Sequence, residues 1–282
     1  YDIVQRRDMD ILMINEAGLN TRIAPTITGY TVFRTDHEHK NRGSLVYLRN
    51  MYTDVTLNIV GKEDKTIESE IIHLRVKGEP CCNIICVYLE SNMNKEDAEK
   101  THRILQNKVD AAAKVGEDVI IMGDCNAPMN PKTNSKVPAI DIIKEWEKSG
   151  KVKILNDKSR PTRVPTQKDH QANCVDLAMV TPGILARGVT FTLDETREWT
   201  PTKVEPTGEK APNGDLIYEK TTPSDHMAME VEIKVNIVMP EKKGNIPLFD
   251  YNKVGGWSEY KLNSNKIATV SYTHLTLPTK DS

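Results

Sequence analysis

Short apolar runs bounded by polar turn residues determine what this chain can fold into. Residues 11–14 and 119–122 are continuous apolar runs, and each follows an Asp. Runs this short are typical of buried strands, because a buried helix needs about ten residues or more. The other predicted strands lie at residues 31–33, 44–48, 55–60, 71–76, 83–89, 175–180 and 227–235.

Few helices accompany these strands. The pattern predicts a helix over about 95–115, with Asn94 or Asn92 as its N-cap, acidic residues in its first turn and Gly116 at its end. A shorter amphipathic helix is predicted over 138–149. Many strands and few helices indicate an α+β protein with mixed sheets.

Two stretches interrupt the strand pattern. Residues 194–224 are polar and rich in Pro and Gly, which predicts a long loop or a hairpin. Past about residue 237 the pattern stops being sheet-like, and the Pro, Gly and charged residues that follow are typical of a linker.

Composition excludes some classes of protein. The formal net charge of −2 and the sequence pI of about 6.4 argue against binding nucleic acid by bulk charge, although a local basic groove remains open. No apolar run reaches the length of a membrane span, so we expect no contact with a membrane. The five cysteines are an odd number, which favours free, buried thiols in a reducing compartment.

Three polar motifs lie at the ends of predicted strands. They are Glu16, the sequence Gly123-Asp124-Cys125-Asn126, and Ser224-Asp225-His226. Each alone has an ordinary explanation: a Glu at a strand end is usually solvated, and Asp and Asn often bond their own backbone in turns. Their occurrence together, each at a strand end, indicates one site.

The residue types suit phosphodiester hydrolysis with a hard divalent ion. Mg²⁺ prefers carboxylate and amide oxygens and commonly uses only one or two protein carboxylates. The reaction also needs a group that orients water and donors for the phosphate oxygens. The chain has no Gly-rich phosphate loop with Lys and no Gly-x-Ser-x-Gly motif, which argues against nucleotide-triphosphate motors and acyl transfer.

The order of these motifs resembles the endonuclease/exonuclease/phosphatase superfamily from residue 1 to about 236. Within it the chain is most similar to the apurinic-type endonuclease domain of non-LTR retrotransposons. The resemblance implies a DNase I-like four-layer α/β sandwich, in which two packed mixed sheets are flanked by helices. It also implies Mg²⁺, with Mn²⁺ as an alternative, and nicking of duplex DNA that leaves a 3′ hydroxyl to prime reverse transcription.

The resemblance assigns roles to residues around the metal and the attacking water. Glu16 would bind the metal, and Asp225 would assist the metal or the water. Asp124 would align or activate the water, while His226 would serve as acid/base or as a donor to the phosphate. Asp176 would orient His226; a carboxylate on one ring nitrogen fixes the tautomer and favours the imidazolium.

Other residues are assigned to the substrate. Tyr88 and Asn126 would lie beside the phosphate, and Thr162 and Ser224 would bind it. The loop over 163–175 would meet DNA as a surface hairpin. In that loop Arg163 and Lys168 can donate to phosphates and base edges.

The resemblance also divides the chain. Residues 1–236 would be the endonuclease domain, without the family's first strand and the metal-site Asn on it, so a truncated fragment would be weak or inactive. Residues 237–269 would link it to a reverse transcriptase, because 247–257 resembles the linking stretch of retrotransposon polyproteins. Residues 270–282 resemble a translated sequencing adapter. The implied location is intracellular, and nuclear when the enzyme acts on chromosomal DNA.

Two other functions remain open. One is a host phosphodiesterase of the same superfamily, such as a repair endonuclease or a phosphoinositide phosphatase. The segment 245–260 argues against it, since a free-standing repair enzyme has no need of a polyprotein linker. The other is a decayed, DNA-binding remnant, against which the intact set of site residues counts.

Overall fold

Two six-stranded sheets packed face to face form the body of the protein. The computed structural model describes residues 7–17, 26–35, 42–52, 55–60, 69–91, 93–130, 137–165, 171–199, 203–210, 216–221, 224–234 and 265–271. The strands are β1 (Ile11–Asn15), β2 (Tyr30–Arg34), β3 (Leu45–Arg49), β4 (Val55–Val60), β5 (Glu70–Val76), β6 (Cys82–Tyr88), β7 (Asp118–Asp124), β8 (Lys153–Ile154), β9 (Asp176–Val180), β10 (Val189–Leu193), β11 (Lys203–Lys210), β12 (Leu216–Thr221), β13 (Met229–Ile233) and β14 (Asn265–Ser271). The helices are α1 (Lys95–Lys114), α2 (Pro138–Lys148) and α3 (Pro182–Arg187).

Both sheets are mixed. The first has the order β10-β13-β14-β1-β3-β2, and the second has the order β4-β5-β6-β7-β9-β8. In the first sheet only β1 and β14 run parallel, and in the second only β6 and β7 do. The remaining pairs are antiparallel. Strands β11 and β12 form a separate antiparallel hairpin.

The main core lies between the two sheets. Apolar side chains of β1, β3 and β13 meet those of β5, β6, β7 and β9 there, and most of them are almost completely buried. A second core lies on the other face of the second sheet, under α1 and α2. A third covers the other face of the first sheet and includes Trp199. Burial of each large apolar side chain contributes about 1.5–3 kcal/mol, so these cores hold the sheets together.

Local signals place the two longer helices. Asn94 is the N-cap of α1, and its side chain accepts a hydrogen bond from the backbone amide of Asp97. Glu96 and Asp97 lie in the first turn, where acidic groups stabilise the helix dipole. Pro138 begins α2, a position at which its missing N–H costs nothing. None of the described helices has the length and apolar composition needed to cross a membrane.

These elements confirm the predicted α+β class, with two packed mixed sheets flanked by helices. The 194–224 segment forms the hairpin β11–β12 where it is described. Three elements between the predicted strands were missed. They are β8, which has only two residues, α3, which has six, and β10, whose Thr residues weaken its apolar signal. The cysteines are free, and four of the five are buried.

The strand β14 differs from what the sequence predicted. We expected the sheet pattern to stop near residue 237 and a central strand to be missing, yet residues 265–271 lie between β1 and β13 and make the first sheet continuous. Asn, Lys, Thr and Ser occur in this strand, and such a composition is not typical of a central strand. The strand spans the predicted boundary between residues 269 and 270, and the division of the chain into segments stays a prediction.

Gly123 permits the close approach of β7 to β6. Its φ is +142°, and a Cβ there would lie 2.0 Å from the carbonyl oxygen of Val87 and 3.0 Å from Asn15 Oδ1. Because both neighbours are held in the sheet or in its core, neither can move aside cheaply. Gly150, which follows α2, also has a positive φ of +75°, but a Cβ there would meet nothing within 4 Å.

We predict that Gly123→Ala lowers the free energy of unfolding by at least about 3 kcal/mol, because backbone strain and a steric clash add. Gly150→Ala is the matched control and should cost only about 1 kcal/mol, the usual penalty for an L residue in a left-handed conformation. Urea denaturation of both variants measures the difference. Equal losses in the two variants would contradict the close approach at Gly123.

His102 is a buried, uncharged histidine between α1 and α2. Its Nδ1–H donates to the carbonyl oxygen of Ala98 at 2.7 Å, and its ring lies edge-on to Trp146 with centroids 5.8 Å apart. Its Nε2 is buried and has no hydrogen-bond partner among the described residues. Burial lowers the pKa of His102 below its usual 6.5.

We predict that His102 makes the protein less stable in acid. Below about pH 6.5 the unfolded chain binds a proton at this residue that the folded chain does not, so stability falls as the pH falls. In His102→Phe the pH dependence of the unfolding free energy between pH 7 and 5 should shrink by up to about 1.4 kcal/mol per pH unit. Denaturation curves at several pH values test this. An unchanged slope would show that folded His102 is protonated as readily as unfolded His102.

Candidate active site

Three polar side chains line up across neighbouring strands of the second sheet. Tyr88 at the end of β6 lies opposite Asp124 at the end of β7, and Asp124 lies opposite Asp176 at the start of β9. Directly opposed residues project from the same face of a sheet, so the register alone brings the two carboxyl groups together. All three side chains are buried.

Asp176 holds His226. The Nδ1–H of His226 donates to the two carboxylate oxygens of Asp176, at 3.0 and 2.8 Å, and both side chains are about 3% exposed. The hydroxyl oxygen of Thr162 accepts hydrogen bonds from the backbone amides of Val175 and Asp176, at 3.0 and 2.9 Å. Thr162 therefore fixes the start of β9, and with it the carboxylate that orients the imidazole.

The pKa values of His226 and Asp124 follow from their surroundings. Burial opposes the charge on His226, but the negative charge and the hydrogen bond of Asp176, helped by Asp124 and Asp225, raise the pKa of His226 to about 10. Burial first, and then the negative charge of Asp176, raise the pKa of Asp124 to about 8. His226 is thus an imidazolium at neutral pH, next to a carboxyl group that readily takes up a proton.

Ser224 and Asp225 form the turn that leads into His226. The hydroxyl oxygen of Ser224 accepts a hydrogen bond from the backbone amide of His226 at 3.1 Å. Arg163 Nε donates to Asp225 Oδ2 at 2.8 Å. Asp225 Oδ1 is buried, has no hydrogen-bond partner among the described residues, and lies 3.7 Å from His226 Nε2.

Glu16 reaches the same site from the first sheet. It follows β1 with a φ of +51°, which directs the chain out of the strand at this point. The hydroxyl of Tyr88 donates to Glu16 Oε1 at 2.9 Å. Burial raises the pKa values of both Glu16 and Tyr88. The charges of His226, Asp225 and Asp176 also act on Glu16, which shows how closely the groups are placed.

Asn126 shapes the loop after β7. Its backbone amide donates to Asp124 Oδ1 at 2.8 Å, with a φ of +44°, and its side-chain amide donates to the carbonyl oxygen of Leu89 at 2.8 Å. The contact of Asn126 with a phosphate stays a prediction, and one of its side-chain donors is used by the backbone. Lys168 lies outside the described residues.

Asn15 is a site residue that the sequence reasoning missed. It is fully buried at the end of β1, and its Oδ1 accepts a hydrogen bond from the backbone amide of Asp124 at 3.3 Å. Its Nδ2 donates to Ser44 Oγ at 3.0 Å. The signal was present, since an amide that ends a continuous apolar run needs a buried partner.

The side chains fit a hard divalent cation. Ligand atoms of Asp124, Asp176 and His226 lie within 4.8 Å of one another. Both oxygens of Asp176 face His226, which leaves Asp124, Asp225 and Glu16 as the oxygen donors. The unpartnered Asp225 Oδ1 and the raised pKa of Asp124 both show uncompensated negative charge. Glu16 and Asp225 stay predicted ligands, and Asp124 is a further candidate.

Comparison with known proteins bears on the fold. No protein-family model matches the sequence, and no curated protein matches it either. Among solved structures, the chain is similar to the 3′ phosphatase NExo from Neisseria bound to a product DNA hairpin, with 15% identity and a TM-score of 0.58 over 83% of this chain and 92% of that one.

Two further structures are similar. One is an endonuclease/exonuclease/phosphatase family protein from Bacteroides thetaiotaomicron, with 14% identity and a TM-score of 0.51 over 82% of this chain and 85% of that one. Another is the endonuclease domain of TRAS1, a telomere-specific non-LTR retrotransposon, with 15% identity and a TM-score of 0.49 over 84% and 90% of the two chains. The structures with TM-scores of 0.58 and 0.51 show that the chain has a DNase I-like fold.

Proposed function

We propose that this chain is a metal-dependent endonuclease that hydrolyses one phosphodiester bond in duplex DNA and leaves a 3′ hydroxyl. The observation that carries the proposal is the cluster of Asp124, Asp176 and His226, with Asp225 and Glu16 beside it. A buried imidazolium and several carboxylates around one point supply the acid, the base and the cation ligands that such hydrolysis needs.

The cation would be held by Glu16, Asp124 and Asp225, and Mg²⁺ or Mn²⁺ suits these oxygen donors. When bound, it would neutralise the charge that develops on the phosphate oxygens. The Tyr88 hydroxyl, 2.9 Å from Glu16 Oε1, fixes the position of that carboxylate. Asn15 holds the backbone of Asp124 from the other sheet.

His226 would act on the phosphate. Its Nδ1–H is used by Asp176, so the ring orientation is fixed and Nε2–H is directed away from Asp176. Asp225 Oδ1 lies 3.7 Å from Nε2, which is too long for a hydrogen bond. Nε2–H is therefore available to donate to a phosphate oxygen, and an imidazolium does this more strongly than a neutral ring.

Asp124 would orient the attacking water and accept its proton. The backbone amide of Asn126 bonds Oδ1 of this carboxylate, which fixes its rotamer. Without a cation the raised pKa keeps Asp124 largely protonated at neutral pH, and a bound cation would favour the ionised form that accepts a proton. Tyr88 and Asn126 border the same space and would contact the phosphate, as the sequence motifs predict.

DNA is the proposed substrate on two grounds. The motif order resembles retrotransposon endonucleases, and the similar NExo structure contains product DNA. In this proposal Arg163 and Lys168 contact the DNA backbone. The 3′ hydroxyl would prime a fused reverse transcriptase, and the enzyme would act in the nucleus. Arg163 already pairs with Asp225, so it would also hold the turn before His226.

We predict nicking of supercoiled plasmid in Mg²⁺ that EDTA abolishes. Asp124→Asn should reduce the single-turnover rate about 100-fold or more, because it removes the base and a cation ligand. Asp110→Asn is the matched control: this residue pairs with Lys151 on the surface and should have no effect. Single-turnover conditions with excess protein make even a weak rate measurable.

Nicking that persists in EDTA would contradict the proposed cation. DNA with a 3′ phosphate and a soluble phosphoinositide serve as further substrates in the same assay. Cleavage of either in preference to the plasmid would favour a host phosphodiesterase, and cleavage of none would favour a DNA-binding remnant.

We predict that Asp176→Asn lowers the nicking rate about 100-fold or more, because the imidazolium loses the charge that stabilises it. The side chain keeps its size, so the melting temperature should change far less than the rate. Plasmid nicking and thermal denaturation of the same preparation measure the two effects. If the rate falls only as much as the folded fraction does, Asp176 has a structural role alone.

A further inference from the structure

The loop that follows β10 reaches the turn that carries the site residues. Asp194 is buried, and its backbone amide donates to the carbonyl oxygen of Ala228, two residues after His226. Its carboxylate accepts hydrogen bonds from the backbone amides of Glu198 and Trp199, at 3.1 and 2.7 Å. These hydrogen bonds hold the loop at both ends.

Arg197 lies within this loop in an uncommon backbone conformation. Its φ is +58°, in the left-handed region, which costs an L residue free energy. Its backbone amide donates to the carbonyl oxygen of Asp194 at 3.2 Å. Such a conformation persists where the surrounding contacts determine it.

The side chain of Arg197 contacts the backbone just before His226. Arg197 Nη1 donates to the carbonyl oxygen of Ser224 at 3.0 Å, and Nη2 donates to the carbonyl oxygen of Asp225 at 3.3 Å. The planar guanidinium thus spans two consecutive carbonyl groups. Lys has a single ammonium group and cannot reproduce this fork.

The same turn is held from the opposite side. The backbone amide of Val164 donates to the carbonyl oxygen of Asp225 at 2.8 Å, and that of Met227 donates to the carbonyl oxygen of Thr162. Arg197 on one side and residues 162–164 on the other therefore fix the peptide groups that direct the side chains of Asp225 and His226. If Arg197 is removed, one side of this support is lost.

We propose that Arg197 is a positioning residue, which holds the Ser224–Asp225 backbone so that Asp225 Oδ1 and His226 Nε2 face the substrate. It acts through the backbone of the turn. The activity test of this inference rests on the proposed hydrolysis of DNA. Its NMR test needs only the folded protein.

The test compares Arg197→Ala, Arg197→Gly, Arg197→Lys and Arg160→Ala. Glycine adopts the positive φ of residue 197 without strain but lacks the guanidinium. Arg197→Gly therefore separates a loss of positioning from a loss of stability. Arg160 is the matched control, because it pairs with Glu195 of the same loop and is exposed. Steady-state plasmid nicking with excess DNA gives kcat and KM, and thermal denaturation gives Tm. Nitrogen-15 NMR of labelled histidine reports the ring of His226.

We expect Arg197→Ala and Arg197→Gly to lower kcat about tenfold or more, as loss of a hydrogen bond from a charged group does, with KM nearly unchanged. Arg197→Lys should recover part of kcat. The His226 ring signals should shift in Arg197→Ala and Arg197→Gly and stay in place in Arg160→Ala. Where Arg197→Ala does not fold, Arg197→Gly decides the outcome, and where neither folds, Arg197→Lys does.

Wild-type kcat with unshifted His226 signals in the folded Arg197 variants would overturn the proposal. A fall in activity that matches only the fall in folded fraction would overturn it as well. If the wild-type chain does not cleave DNA, the NMR shifts still test the positioning role, so failure of the proposed function is distinguishable from failure of this inference.

Discussion

The ion pair between Asp176 and His226 joins the two sheets at the edge where the site lies. Asp176 begins β9 of the second sheet, and His226 precedes β13 of the first. A buried carboxylate without a partner would cost several kcal/mol, so the imidazolium must stay in place once the sheets have packed. The apolar core between the sheets supplies the stability, and this pair determines the alignment of the sheets at the site.

Two other polar contacts cross between the sheets at the same edge. Asn15 accepts from the backbone of Asp124, and Tyr88 donates to Glu16. Their geometry depends on how closely the strands approach, which Gly123 permits because it has no Cβ. Catalytic groups held by the ends of two packed sheets lose little freedom when substrate binds, and such preorganisation is the main source of catalysis in hydrolytic sites.

Sequence patterns predicted the strands and the site motifs because these signals are local. Asp124 ends an apolar run, so the pattern placed it at a strand end, whereas Asp176 was assigned only by the family resemblance. The register of β7 and β9 places the two residues opposite each other. Arg197 was not predicted, since nothing near it in the sequence shows that it contacts a turn 27 residues away. The position of β14 could not be predicted either, because its polar residues gave no strand signal.

Electrostatics favours a cation beside this group of acidic side chains. The carboxyl groups of Asp124 and Asp176 are buried, and the charges of Asp176 and Asp225 both act on the half-buried Glu16. Among the described residues His226 pairs with Asp176 and Arg163 with Asp225, and neither Asp124 nor Glu16 has an ion-pair partner. A phosphate would be repelled by these two groups at short range. In the proposed function a bound divalent cation would offset this repulsion and favour the ionised form of Asp124.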